Sequence, residues 1–280
     1  SSDVCSSDLR DVQLTTEFSE WCEKKGIKFF YVNLPGKVCI SEDKNISGIL
    51  DFANQNADRF LQGLEANNVK YYDLRKNLHE EGMNHHDTFF KTDYHWKHET
   101  GLWAAQHILE FLRDDYGCNV KPELLNLENW EQVIYHECFL GSYGKKATLA
   151  RVDPEDFSMF YPKFQTNLHI EIPNLNLDVS GDFVNFYDMK RINTKDYYRL
   201  TQYGSLCGQA VVKIYNALVP TSKKILLIRD SFSDCMLPFL SIGNQSTEAL
   251  DLRVFNASCK NYIQSHQPDI VDRKSTRLNS

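Results

Sequence analysis

Three short stretches hold the residue types that nucleophilic catalysis through a serine requires. Ser231 lies in the run Lys224-Ile-Leu-Leu-Ile-Arg-Asp-Ser-Phe-Ser233. Its successive apolar residues read as a central strand. A strand that stops at Asp230-Ser231 and turns into a helix sets the hydroxyl at the carboxyl edge of a sheet, where open α/β sheets bind ligands. The free N–H groups and positive end of the next helix would face the same spot and suit an oxyanion. A serine at a helix start also fits a plain N-cap that satisfies an orphan N–H. A serine nucleophile needs a base, and the base needs a carboxylate to fix its tautomer. Asp93 and His95, in Thr88-Phe-Phe-Lys-Thr-Asp-Tyr-His-Trp96, stand two apart and in extended backbone project to the same side. Asp93 would then hold Nδ1 and leave Nε2 for Ser231, although Asp-x-His is by itself a common tripeptide. The third stretch is Phe139-Leu-Gly-Ser-Tyr-Gly144. Small residues at a turn let backbone N–H groups approach a ligand, so Gly141 or Ser142 could add an oxyanion donor; a simple turn has the same composition.

The same region offers a competing chemistry. His79, His85, His86, His95 and His98 fall close together with Asp87 and Asp93, a set of types that can ligate zinc or another divalent ion. No pair among them has the i, i+4 spacing of a helical site and no cysteine is near. The expectation is therefore no metal and no cofactor, with His79, His85 and His86 as exposed loop residues.

Around these stretches the chain alternates strands and helices. Leu14, Phe18, Trp21 and Cys22 recur at helical spacing before Gly26, and Lys28 to Leu34 is a buried-strand run closed by Pro35-Gly36. Ala57 to Leu64 marks a second helix, Val69 to Leu74 a second strand, and Trp103 to Leu112 a third helix ending at Gly117. Ala210 to Leu218 reads as helix, Ala249 to Phe255 as strand, Tyr262 to His266 as a helix end and Pro268 to Val271 as the start of a last strand. Between about 147 and 197 shorter apolar runs, Leu168–Ile172 and Phe183–Phe186, alternate with Pro, Asn, Asp and Gly, which reads as a small antiparallel hairpin insertion. The pattern predicts one α/β domain over 10–272, a parallel sheet with helices on its faces.

Composition narrows the partners. With 42% hydrophobic residues and a net charge of −7, the chain is a folded globule with no long-range pull toward nucleic acid or anionic lipid. No run approaches the length of an apolar membrane span. Seven of the eight cysteines lie in the body without CxxC or even spacing, so the expectation is buried free thiols, with one isolated disulfide left open. The segments 1–9 and 273–280 fall outside the pattern of the body and read as non-native tails, so a missing leader or anchor carries no information.

Taken in order, Asp93-x-His95-Trp96, the Gly141-Ser142-x-Gly144 turn and strand-Asp230-Ser231-Phe232 resemble the DHHW-type branch of SGNH-hydrolase-like proteins. That branch includes alginate and other envelope polysaccharide O-acetyltransferases. Tyr31-Val-Asn-Leu-Pro-Gly-Lys37, Tyr72-Asp-Leu-Arg75, Asp196-Tyr-Tyr-Arg199, Leu250-Asp-Leu-Arg253 and Gln267-Pro-Asp-Ile-Val271 are similar to further segments in the same order. The resemblance implies a flavodoxin-like sheet and a triad of Asp93, His95 and Ser231, with Gly141 and Ser142 at the oxyanion or substrate loop. It also implies a polysaccharide acceptor, a membrane protein that donates acetyl groups, and a periplasmic or envelope location. Two positions depart from the pattern. Tyr94 stands where His is common and is expected to stay clear of the triad, and Arg229 stands where SGNH esterases carry Gly. A carbohydrate acetyl-esterase, or a polysaccharide-binding protein without catalysis, would share the same features.

Overall fold

The computed structural model describes residues 6–40, 52–200 and 203–275. Helix α1 (Ser6–Lys24) leads into strand β1 (Lys28–Asn33), and α2 (Phe52–Ala66) into β2 (Tyr71–Asp73). Asp73 caps α3 (Leu74–Glu80) by accepting the Arg75 N–H. Helix α4 (His98–Tyr116) ends at Gly117, whose φ of 65° is the left-handed conformation glycine adopts without cost. Then come β3 (Trp130–Phe139), α5 (Ser142–Ala147), β4 (Glu155–Pro162), β5 (Leu168–Ile172), β6 (Leu177–Gly181) and α6 (Met189–Asn193). The chain continues through β7 (Val211–Asn216), β8 (Lys224–Arg229), a 3-10 turn (Ser231–Cys235), α7 (Leu237–Ile242), β9 (Ser246–Asp251), α8 (Cys259–His266) and β10 (Ile270–Ser275).

Eight strands form one sheet in the order β2-β1-β10-β8-β9-β7-β5-β6. The first five are parallel, and β7, β5 and β6 extend the sheet antiparallel from β9. Strand alternation divides the core. Phe29, Tyr31, Leu226, Ile228 and Val271 pack with Cys22, Phe60, Leu64 and Ile263 from α1, α2 and α8. Phe30, Val32, Ile225, Leu227 and Ile270 pack on the other face with Leu102, Ile108, Leu237 and Phe239 from α4 and α7. The middle of strand β8, Ile225–Ile228, is a continuous apolar run because both of its faces are covered. A separate two-stranded antiparallel sheet, β3 with β4, packs on α4. This is the α/β architecture expected from the sequence, parallel strands with helices on both faces.

Several local expectations change. Residues 211–216, expected helical, form β7. Val212, Ile214 and Asn216 are buried while Tyr215 is exposed, a period of two carried by β-branched side chains. The hairpin partner of β5 is β6, and Phe183–Phe186 is a 3-10 turn. That hairpin joins the main sheet, and β4, also inside the 147–197 region, pairs with β3 outside it. The structure places Ser6–Leu9 in α1 and Arg273–Ser275 in β10, between β1 and β8. Segments 1–5 and 276–280 lie outside the described residues. Among the described residues no helix is long and apolar enough to cross a membrane.

Candidate active site

The parallel strands deliver their carboxyl ends to one edge of the sheet, and β8 delivers Asp230 and Ser231 there. The sequence left Ser231 open as an N-cap. The cap is Asp230, whose Oδ1 accepts the Phe232 N–H at 3.0 Å. The helix expected directly after Ser231 is a 3-10 turn, with α7 starting only at Leu237.

Ser231 Oγ lies 2.9 Å from His95 Nε2, although the two residues are 136 positions apart. On the other side of the ring, His95 Nδ1 donates to Asp93 Oδ1 at 2.6 Å. The same carboxylate oxygen accepts the His95 backbone N–H at 3.0 Å. The pair therefore meets through a tight turn closed by Asp93, not through the extended segment the spacing suggested. The ends of this loop are pinned by Phe90 N–H to His95 O at 3.1 Å and by a bridge between Phe89 and Trp96. Trp96 Nε1 donates to Phe232 O at 2.9 Å, tying the histidine loop to the serine turn. Asp93 and His95 are buried and Ser231 is partly open to solvent.

Burial alone would raise the Asp93 carboxyl. Hydrogen bonds from the His95 ring and from the Ser142 N–H outweigh it and bring the pKa down to about 2. Asp93 is thus a carboxylate at neutral pH and keeps His95 Nδ1 protonated, leaving Nε2 as the acceptor for the serine proton.

Gly141 and Ser142 reach this site in a different role from the one expected. The Gly141 N–H donates to Thr92 Oγ1 at 2.9 Å and the Ser142 N–H to Asp93 Oδ2 at 2.7 Å. Both donors are occupied by the aspartate loop and do not point at an oxyanion. A Cβ on Gly141 would sit 2.4 Å from Thr92 O and 2.5 Å from Asp93 Cβ, so only glycine lets the two loops touch. The Tyr143 and Gly144 N–H groups both reach Thr92 O, completing the seam.

Tyr94, expected to stay clear, lies against the others. Its ring centroid is 3.9 Å from that of His95 and 6.0 Å from that of Phe232. Burial and the Asp93 charge raise the phenol pKa, and the Ser231 hydroxyl beside it pulls the other way. The phenol therefore stays neutral. Arg229 does not face the reacting atoms. It is buried, joined to Asp234 through Nη1 and to the Cys207 and Gln209 carbonyls through Nη2 at 2.6 and 2.7 Å.

The remaining histidines disperse. His79 and His86 are exposed as expected, but His85 is buried and donates to Gly36 O at 2.9 Å. His98 is buried in α4, donates from Nε2 to Tyr203 O at 2.8 Å, and burial pushes its pKa down to about 4, so it is neutral. Among the described residues no three His, Cys, Asp or Glu side chains converge as metal ligands.

Ser231, His95 and Asp93 therefore meet at the carboxyl edge of the parallel part of the sheet. Residues 7–136 match the family model described as ALGX: SGNH hydrolase-like domain, acetyltransferase AlgX. That span contains Asp93 and His95 and ends before the Gly141 turn and Ser231. Among solved structures, Bacillus cereus PatB1 superposes with a TM-score of 0.77 at 19% identity, covering 98% of this chain and 90% of that one. A DHHW family protein from Eubacterium siraeum gives a TM-score of 0.66 at 18% identity, covering 96% and 86%. The O-acetyltransferase domain of Pseudomonas putida AlgJ gives 0.56 at 10% identity, covering 98% and 84%. No curated protein matches the chain. The likeness to DHHW-type SGNH-hydrolase-like proteins read from the motifs therefore holds at the level of fold and family model.

Proposed function

We propose that this protein is an O-acetyltransferase that carries an acetyl group on Ser231 and passes it to a hydroxyl of a cell-envelope or exported polysaccharide. The observation that carries the reading is the continuous hydrogen-bond chain from Asp93 Oδ1 through the His95 ring to Ser231 Oγ. His95 Nε2 takes the Ser231 proton as Oγ attacks the acetyl carbonyl of the donor. The tetrahedral intermediate collapses, and the donor's leaving group departs with that proton. A sugar hydroxyl then gives its proton to His95 and attacks the acetyl-serine, and Ser231 leaves and is reprotonated by His95. Asp93 stays ionised throughout and stabilises the imidazolium. The Phe232 N–H is bonded to Asp230 Oδ1 and the Ser233 N–H to Asp230 O, so neither serves the oxyanion, and the proposal gives that role to the Ser231 N–H. A donor so placed is worth about 3 kcal/mol in the transition state.

The match to a family model described as an acetyltransferase and the likeness to the O-acetyltransferase domain of AlgJ support acetyl as the group transferred. The polysaccharide acceptor, the membrane protein that donates the acetyl group and the location outside the cytoplasm are part of the proposal and follow from the motif resemblance. The test uses an activated acetyl ester, with and without added oligosaccharide, in the native protein and in Ser231→Ala. The expected result is acetylated sugar from the native protein and a loss of at least about 10³-fold in Ser231→Ala. Turnover retained without Ser231 removes it from the chemistry. Release of acetate alone, whatever glycan is supplied, makes water the acceptor and the protein an esterase.

A further inference from the structure

We propose that Lys37, acting with Glu155, is the positioning residue that holds the Asp93–His95 loop in its reactive shape; this rests on the function proposed above. The loop turns sharply and is buried, so its backbone polar groups need partners inside the protein. Lys37 follows the end of β1 through Pro35-Gly36. Its ammonium donates to Phe90 O at 2.7 Å and to Asp93 O at 2.6 Å, drawing together two carbonyls on one side of the loop. Glu155, at the start of β4, grips the other side. Its carboxylate accepts the Lys91 N–H at 2.8 Å, the Thr92 N–H at 2.6 Å and the Thr92 hydroxyl at 2.5 Å.

The two clamps connect elements that share no strand pairing. Lys37 Nζ also lies 5.6 Å from the centre of the Tyr143 ring, on the helix that opens at the Gly141 turn. That turn donates to Thr92 and Asp93 from the third side. A cation on the carbonyls and an anion on the N–H groups match the backbone dipoles of the loop. Neither side chain touches Ser231. Their effect reaches it only through where Asp93 places the imidazole, and small errors of placement cost rate more than affinity.

The test measures kcat and KM for acetyl-ester turnover in Lys37→Met, Lys37→Ala and Glu155→Gln, with Ser231→Ala in parallel. The expected result for Lys37→Met is a kcat lower by about 10- to 100-fold with KM within about twofold. Ethylammonium is expected to raise kcat in Lys37→Ala, where the side-chain space is open, and to leave Lys37→Met unchanged. A wild-type kcat in Lys37→Met, a loss confined to KM, or no response of Lys37→Ala to the amine overturns the proposal. If the Lys37 variants do not fold, Glu155→Gln decides in the same way: lowered kcat at constant KM supports the clamp and a wild-type kcat overturns it. An active Ser231→Ala would sink the function itself. An inactive Ser231→Ala beside fully active clamp variants would sink only the clamp.

Discussion

Gly141 and Ser142 show how adjacent residues can contribute through different atoms. Gly141 matters for the side chain it lacks, since any Cβ would drive into Thr92 O and Asp93 Cβ. Ser142 matters for its backbone N–H on Asp93, while its hydroxyl is buried without a hydrogen-bond partner. Removing a buried hydroxyl that has no hydrogen-bond partner is close to neutral. Gly141→Ala is therefore expected to lower kcat by on the order of 100-fold by displacing the aspartate loop. Ser142→Ala is expected to stay within about twofold of wild type, because it retains the N–H. Equal losses in both variants, measured in the ester assay, would contradict this division. The types and spacing of Asp93, His95 and Ser231 were legible in the sequence because the chemistry needs those side chains. The Gly141 role was not, because a donor in a turn points wherever the fold turns it. Tyr94 was missed for a related reason. In extended backbone it would face away from His95, and the Asp93-closed turn brings its ring back onto the imidazole.

At the scale of elements, β8 must present Ser231 at a fixed height beside the histidine loop. Arg229 does this from the last position of the strand. It pairs with Asp234 in the serine turn and binds the carbonyls of Cys207 and Gln209, while Asp251 at the end of β9 lies 4.0 Å from the same guanidinium. Asp251 is in turn held by Arg253 at 2.9 and 2.6 Å. Burial pushes the Asp234 carboxyl up to about 6, against the pull of Arg229. Removing the arginine would leave that acid buried without its counter-charge. Arg229→Met is expected to lower unfolding stability by about 3 to 5 kcal/mol in urea titration, with a loss below about 1 kcal/mol contradicting the role. Strand β8 itself was legible, since its centre, Ile225–Ile228, is covered on both faces and reads as an unbroken apolar run. Strand β7 was not, because one face looks inward and the other outward, and Lys213 and Tyr215 interrupt its apolar run.

The whole molecule explains how so many cysteines persist in a protein proposed to work outside the cytoplasm. All seven thiols among the described residues are free, and all but Cys259 are buried. Burial raises Cys22 and Cys207 to about 12 and Cys118 and Cys138 to about 11, so thiolate is scarce at neutral pH. Peptide mapping after treatment with a thiol reagent is expected to find these four unmodified in the native protein and modified after denaturation. A disulfide joining any two of them would contradict the structure. The parallel sheet and its alternating faces were readable from the strand and helix rhythm. Its antiparallel extension was not, because long-range pairing of short, half-exposed strands leaves little local signal.

The most direct test of the central claim is to quench the protein during turnover of an activated acetyl ester and map the acetyl group by peptide mass spectrometry. The expected result is a single acetyl on Ser231, absent from Ser231→Ala and lost when an oligosaccharide acceptor is added. Full turnover with no acetyl at Ser231, or with the acetyl on another residue that survives in Ser231→Ala, would contradict the account.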